Sequence, residues 1–139
     1  MENRPLHVRP SSLLLVLAGG TLGTAAREGL VLALPATGEV PWTILGINVL
    51  GAFLLGWLLD ALARRGPDHG GRRALRLLLG TGLLGGFTTY STLATDTALL
   101  SGSSPLTGIG YALATVLVGA LATALGILVA SGRHRQEVR

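Results

Sequence analysis

The chain has 139 residues, of which 49% are hydrophobic and only 13% charged, with a mean hydropathy of +0.58. Soluble domains carry about a quarter charged residues, so a water-facing surface is excluded, and the length suits a single membrane domain over residues 1–139. Cysteine is absent, which excludes disulfides, thiolate metal sites and cysteine nucleophiles, and the pI near 11.1 comes only from arginines, most of them beside apolar runs, not from a nucleic-acid surface.

Apolar runs of about 20 residues can cross a bilayer, and four are predicted, over residues 11–34, 41–63, 74–100 and 105–131. In the first, Gly19, Gly23 and Arg27 follow steps of four, so a small-residue face leads to a charge. Such an arginine is costly in a membrane and is either functional or paired. Glu28 points about a quarter-turn away and is not an assured partner. Arg4 and Arg9 before this run also fit a cleaved signal peptide, but its length and internal packing motif favour a span.

The second run is uncharged over residues 41–59 and carries Asn48 at mid-depth, within Gly46-Ile47-Asn48-Val49-Leu50-Gly51. A carboxamide there has two readings, glue between helices or a donor facing an anion path. The third holds Gly82-Leu83-Leu84-Gly85-Gly86-Phe87-Thr88-Thr89-Tyr90-Ser91-Thr92-Leu93. Paired glycines followed by paired threonines are a poor sequence for an uninterrupted helix. A break would free carbonyls that a polar cavity or an ion must satisfy; the other reading is an unbroken helix with back-bonded threonines.

In the fourth run Tyr111, Thr115, Gly119, Ala122 and Gly126 share one helical face. Gly119, Ala122 and Gly126 read as packing, while Tyr111 and Thr115 stay open. Asp60 and Asp96 fall towards span ends, so no carboxylate at mid-depth supports a proton-coupled carrier. His7, His69 and His134 all lie in polar segments, and no nucleotide loop, triad or metal cluster is present. An enzyme is therefore not expected. Short connections rich in Pro, Gly and Ser suit antiparallel neighbours in a compact bundle. Arg4, Arg9, Arg64, Arg65, Arg72, Arg73, Arg76, Arg133, Arg135 and Arg139 all fall on one side of a four-span chain. The positive-inside rule then puts both termini in the cytoplasm of a multi-pass protein of the cell membrane.

Taken in this order, the motifs resemble the Fluc (CrcB) fluoride channels from about Gly19 to Gly126. The resemblance rests on Gly19-Gly20 with Gly23 and Arg27, on Gly46, Asn48, Gly51 and Gly56, on Tyr111 with Thr115, and above all on Gly85-Gly86-Phe87-Thr88-Thr89-Tyr90-Ser91-Thr92. It implies an all-α integral membrane protein of four transmembrane helices with a break in the third, paired as an antiparallel, dual-topology-type dimer. It implies a fluoride-selective channel that exports fluoride passively from the cytoplasm and lowers cellular fluoride. By position, Asn48, Tyr90, Ser91, Thr92, Leu93, Tyr111 and Thr115 would form the fluoride pathway, and Arg27 would sit near its vestibule. A structural sodium ion at the dimer centre would be held by backbone oxygens of Gly85 and Thr88. Such a pathway replaces water around a small anion with hydroxyl, amide and ring-edge donors, without full charges that would hold it too tightly.

The sequence departs from the family pattern at Tyr90 and Leu93, where the signature has phenylalanines. The one-sided arginines also fit poorly with a chain that inserts both ways. The alternative is a non-conducting or half-functional partner subunit in a heterodimer with a paralogous chain. A small multidrug-type transporter would need a buried glutamate in the first span, and none is expected there.

Overall fold

The structure, a computed structural model, describes residues 9–36 and 38–137, the last five of these by backbone only. Arg4, His7 and Arg139, and the side chains of Arg133, His134 and Arg135, lie outside the described residues. Every element among those described is helical. In chain order they are α1 (Pro10–Ala33), α2 (Trp42–Arg64), α3 (Gly70–Leu75), a π-wound stretch π1 (Arg76–Leu84), α4 (Gly85–Phe87), α5 (Tyr90–Ser103) and α6 (Pro105–Glu137). Proline opens both α1 and α6, where its fixed φ suits the first turn and its missing N–H costs nothing. After α2 the chain reverses through Gly66, whose φ of +113° suits a residue without a Cβ.

Among the described residues, three helices are long and apolar enough to cross a membrane: α1, α2 and α6 over Pro105–Gly132. The remaining predicted span, residues 74–100, is no single helix. The helical run from α3 through α4 stops at Phe87, Thr88 and Thr89 are extended (ψ 155° and 120°), and α5 begins at Tyr90. At 14 residues, α5 alone extends only about 21 Å, short of a hydrocarbon core near 30 Å. The π winding is closed by bonds such as Gly85 N–H to the Gly80 carbonyl.

Packing does not follow chain order. Sequence neighbours α1 and α2 scarcely touch; α1 lies along π1 and α4, α2 lies along α6, and α5 folds back on α6 through Ser104. Of the consecutive helices, α5 and α6 pack on each other whereas α1 and α2 scarcely do. Small residues explain the choice. A Cβ on Gly82 would lie 2.9 Å from the Val16 carbonyl oxygen and 3.0 Å from Gly19 Cα, and one on Gly86 would enter the Gly20 carbonyl. Main chain thus meets main chain along α1. On the other side, Gly56 abuts the Thr123 carbonyl and Gly126 that of Phe53. Few large side chains are buried, while leucines such as Leu14, Leu17, Leu32, Leu121 and Leu128 are exposed along α1 and α6. Water would penalise such a surface; lipid would not.

Candidate functional site

The interruption at Thr88 and Thr89 leaves backbone groups without helical partners, and Asn48 of α2 takes over for them. Its Oδ1 accepts from the Thr89 N–H at 2.8 Å, and its Nδ2 donates to the Thr89 carbonyl at 3.0 Å. One carboxamide therefore imitates a strand neighbour, satisfying both polar groups of a single residue. The Thr89 hydroxyl caps α5 by accepting from the Thr92 N–H at 3.1 Å. It also lies 3.0 Å from the Thr92 hydroxyl and 3.2 Å from that of Ser91. Thr88 bonds back to the Leu84 carbonyl through both its N–H (3.0 Å) and its hydroxyl (2.9 Å). Gly51 makes room for this: a Cβ there would strike Thr88 Cγ2.

Beside the break lies a cavity of about 310 Å³ between α2, α5 and α6, lined in part by Asn48, Thr88, Thr89, Tyr90, Leu93, Thr115 and Thr123. None of its lining residues is charged. The hydroxyls share a feature that follows from their helices. Thr115 donates to the Tyr111 carbonyl at 2.8 Å. Thr123 reaches the Gly119 carbonyl at 3.0 Å and, across the helix interface, that of Ala52 at 3.3 Å. The carbonyls of Tyr111 and Gly119 lie inside α6 and have helical N–H partners as well. Each hydroxyl can therefore rotate away without orphaning its acceptor, at about 1 kcal/mol. Asn48 keeps a second N–H beyond the one given to Thr89.

Of the residues assigned to a pathway from sequence, the cavity gathers Asn48, Tyr90, Leu93 and Thr115. Leu93 is buried, whereas Tyr90 is 81% exposed and turns most of its ring outward. Ser91 and Thr92 reach the cavity only through the Thr89 hydroxyl. Tyr111 stands one turn before Thr115, buried against Leu93 and Leu100, its hydroxyl without a partner. Asp96, on the α5 helix that folds onto α6, likewise has a buried unpartnered oxygen. Arg27 lies outside the cavity and makes no ion pair among the described residues. Gly85 and Thr88 lie at and just beyond the ends of α4. Among the described residues, no backbone N–H outside the helices is bonded to the carbonyl of Gly85, Phe87 or Thr88, while that of Gly86 accepts from Thr24 at 3.4 Å.

Sequence reasoning passed over Thr123, although the signal was available. Thr115, Gly119 and Thr123 continue the four-residue step from Tyr111, but the reading followed the small residues to Ala122 and Gly126 instead. The Thr88 side chain, as distinct from its carbonyl, was also missed.

A family profile described as "CrcB-like protein, Camphor Resistance (CrcB)" matches residues 14–127. "Fluoride-specific ion channel FluC 2" of Leifsonia xyli is 53% identical over 124 residues, 88% of this chain and 86% of the relative. "Fluoride-specific ion channel FluC 1" of Cutibacterium acnes is 50% identical, over 87% and 86% respectively. "Fluoride-specific ion channel FluC" of Mesorhizobium japonicum is 39% identical, over 86% and 95%.

Proposed function

The chain belongs to the CrcB family, and from that premise we propose that it is a subunit of a fluoride-selective channel that carries fluoride passively out of the cytoplasm. The observation that carries the reading is the uncharged cavity at the helix interruption, where threonine hydroxyls and the Asn48 amide stand among apolar residues. In a chain with so few buried polar groups, such a cavity has a chemical purpose. Fluoride is small and binds water strongly, so a path must offer short, strong donors in its place. Thr115 and Thr123 can turn their protons from helix carbonyls to a passing anion and back. Asn48 can donate its spare N–H while its other atoms hold Thr89 in place. No lining group carries a full positive charge, so the anion is not trapped.

In this reading residues 74–100 make one interrupted crossing, the fourth span alongside α1, α2 and α6. The termini are cytoplasmic, in line with the one-sided arginines. The carbonyls of Gly85 and Thr88 suit a hard cation such as sodium, which takes oxygen ligands and would tie the loose end of α4. Two antiparallel subunits would share that ion. The strong arginine bias and the Tyr90 and Leu93 departures favour a paralogous partner of opposite bias over a second copy.

The test is fluoride efflux from liposomes holding this chain alone, with chloride efflux as control. Selective fluoride efflux is expected of a self-sufficient channel. Efflux only after a paralogue is added assigns the chain to a heterodimer, and a gain on replacing Tyr90→Phe and Leu93→Phe together identifies these positions as the block. Equal fluoride and chloride efflux, or none under any of these conditions from folded protein, overturns the proposal.

A further inference from the structure

Away from the cavity, the segment joining α2 to α3 is folded tightly around one carboxylate. Arg76 grips Asp68 through Nε at 3.1 Å and Nη2 at 2.8 Å, and Arg73 approaches the same carboxylate at 3.5 Å. Arg73 also donates to the Asp68 main-chain carbonyl. Arg72 donates through Nε to the Pro67 carbonyl at 3.0 Å, which aims its guanidinium across Gly66, within 3.5 Å of where a Cβ would stand. Arg64 pairs with Asp60. Residues 60–76 hold five arginines against two aspartates, so the site remains positive after every internal pair is made.

This scaffold encloses a pocket of about 300 Å³ with two unlike walls. Leu59, Leu62 and Ala63, from the last turns of α2, form the apolar wall; Asp68, Arg72 and Arg76 form the polar one. Asp68 is the one acid facing the pocket, and its charge is taken up by Arg76 and Arg73. The end of a membrane-crossing helix lies where hydrocarbon gives way to headgroups. A pocket that is apolar on the membrane side and guanidinium-lined on the water side matches the junction of acyl chain and phosphate in a phospholipid.

We propose that this pocket binds an anionic phospholipid, with Arg72 donating to the headgroup phosphate and the acyl chain lying on Leu59, Leu62 and Ala63. Arginine suits this because its planar fork donates two parallel bonds to phosphate oxygens, and basic pockets beside membrane helices take anionic headgroups. The site is independent of fluoride conduction and concerns only what holds the α2–α3 segment in the bilayer.

The experiment uses the full chain in nanodiscs of neutral phosphatidylcholine, into which phosphatidylglycerol is titrated while the thermal unfolding midpoint is followed. The midpoint rises saturably with phosphatidylglycerol, and Arg72→Gln weakens the apparent affinity about fivefold. Ala63→Trp, which fills the pocket from an exposed position without altering charge, abolishes the saturable rise, whereas Arg65→Gln, outside the pocket lining, leaves it. A rise that survives Ala63→Trp means diffuse attraction and overturns the site. The lipid assignment is also overturned if inorganic phosphate alone gives the same Arg72-dependent rise, or if phosphatidylglycerol gives none.

Discussion

The interface between α1 and π1 and that between α2 and α6 are built from the same small residues and serve opposite ends. Along α1, Gly19, Gly23, Gly82 and Gly86 bring main chain against main chain, with Thr24 reaching the Gly86 carbonyl at the edge. Between α2 and α6, Gly56 and Gly126 close one stretch, while a neighbouring stretch stays open and sets Asn48, Thr115 and Thr123 among apolar residues. In a membrane, where lipid is as apolar as leucine, close backbone approach is one of the few sources of helix attraction. A chain can therefore hold a cavity open only if it is closed firmly elsewhere. The α1 seam supplies that closure, and the α2–α6 face uses it.

The comparison can be broken most severely at Asn48. Asn48→Leu strips partners from both the N–H and the carbonyl of Thr89, a loss of about 4 kcal/mol at about 2 kcal/mol for each orphaned group. Chemical unfolding in detergent is expected to show this together with lost fluoride flux. A variant as stable as the parent would mean that the carboxamide does not hold the break. Next is Gly23→Ala, whose Cβ would strike the Leu83 backbone carbonyl and crowd the Phe87 amide. Overpacking there costs about 3 kcal/mol, yet flux per folded molecule stays unchanged, because the seam lines no path. A changed flux at full folding would put the seam in the pathway.

A finer separation comes from two threonines. Thr123→Val removes the bond to the Ala52 carbonyl, destabilises by about 1 kcal/mol and lowers fluoride flux several-fold. Thr24→Val, at the edge of the dry seam, leaves flux untouched. Equal effects from the pair would erase the distinction between the interfaces. The smallest effect lies at Asp68, whose carboxyl is held below its ordinary range chiefly by the hydrogen bond from Arg76. A lowered folded-state pKa means that the stabilisation is complete above the unfolded value near 3.9 and fades as pH falls through the folded one. Acid below about pH 4 is expected to loosen the α2–α3 segment, and Asp68→Asn to remove that pH dependence; hydrogen exchange at residues 66–76 reads both.

How much of this was legible beforehand differs between the two interfaces. Composition and run length indicate helices in a membrane, and α1, α2 and α6 follow the predicted spans to within a few residues. Small residues at steps of four identify faces that pack, but not the partner. Gly19 and Gly23 carry no mark pointing to Gly82 rather than Gly51, so the pairing of α1 with π1 and of α2 with α6 was not readable. A run of nine π residues was equally hidden, since nothing in the local sequence marks it. At the cavity, Asn48 and the paired threonines announced themselves as polar groups in apolar runs. Their mutual bonding did not, because 41 residues separate Asn48 from Thr89. Thr123 was overlooked because a threonine in a helix can always bond to its own preceding turn, and nothing local separates that habit from a reach across to Ala52.

The sparse contact between α1 and α2 has a consequence for how the protein is made. As the chain emerges from the ribosome, the first two helices enter the membrane with little surface to offer each other. Neither can settle until its later partner arrives: π1 and α4 for α1, and α6 for α2. On this contact pattern α1 can pair with π1 and α4 while α2 still lacks α6, and a copy truncated before Gly126 would lack part of the contact that anchors α2. Quality control that recognises unpaired membrane helices would have until α6 is made to act on α2, and the last turns of α6 would release the chain from its reach.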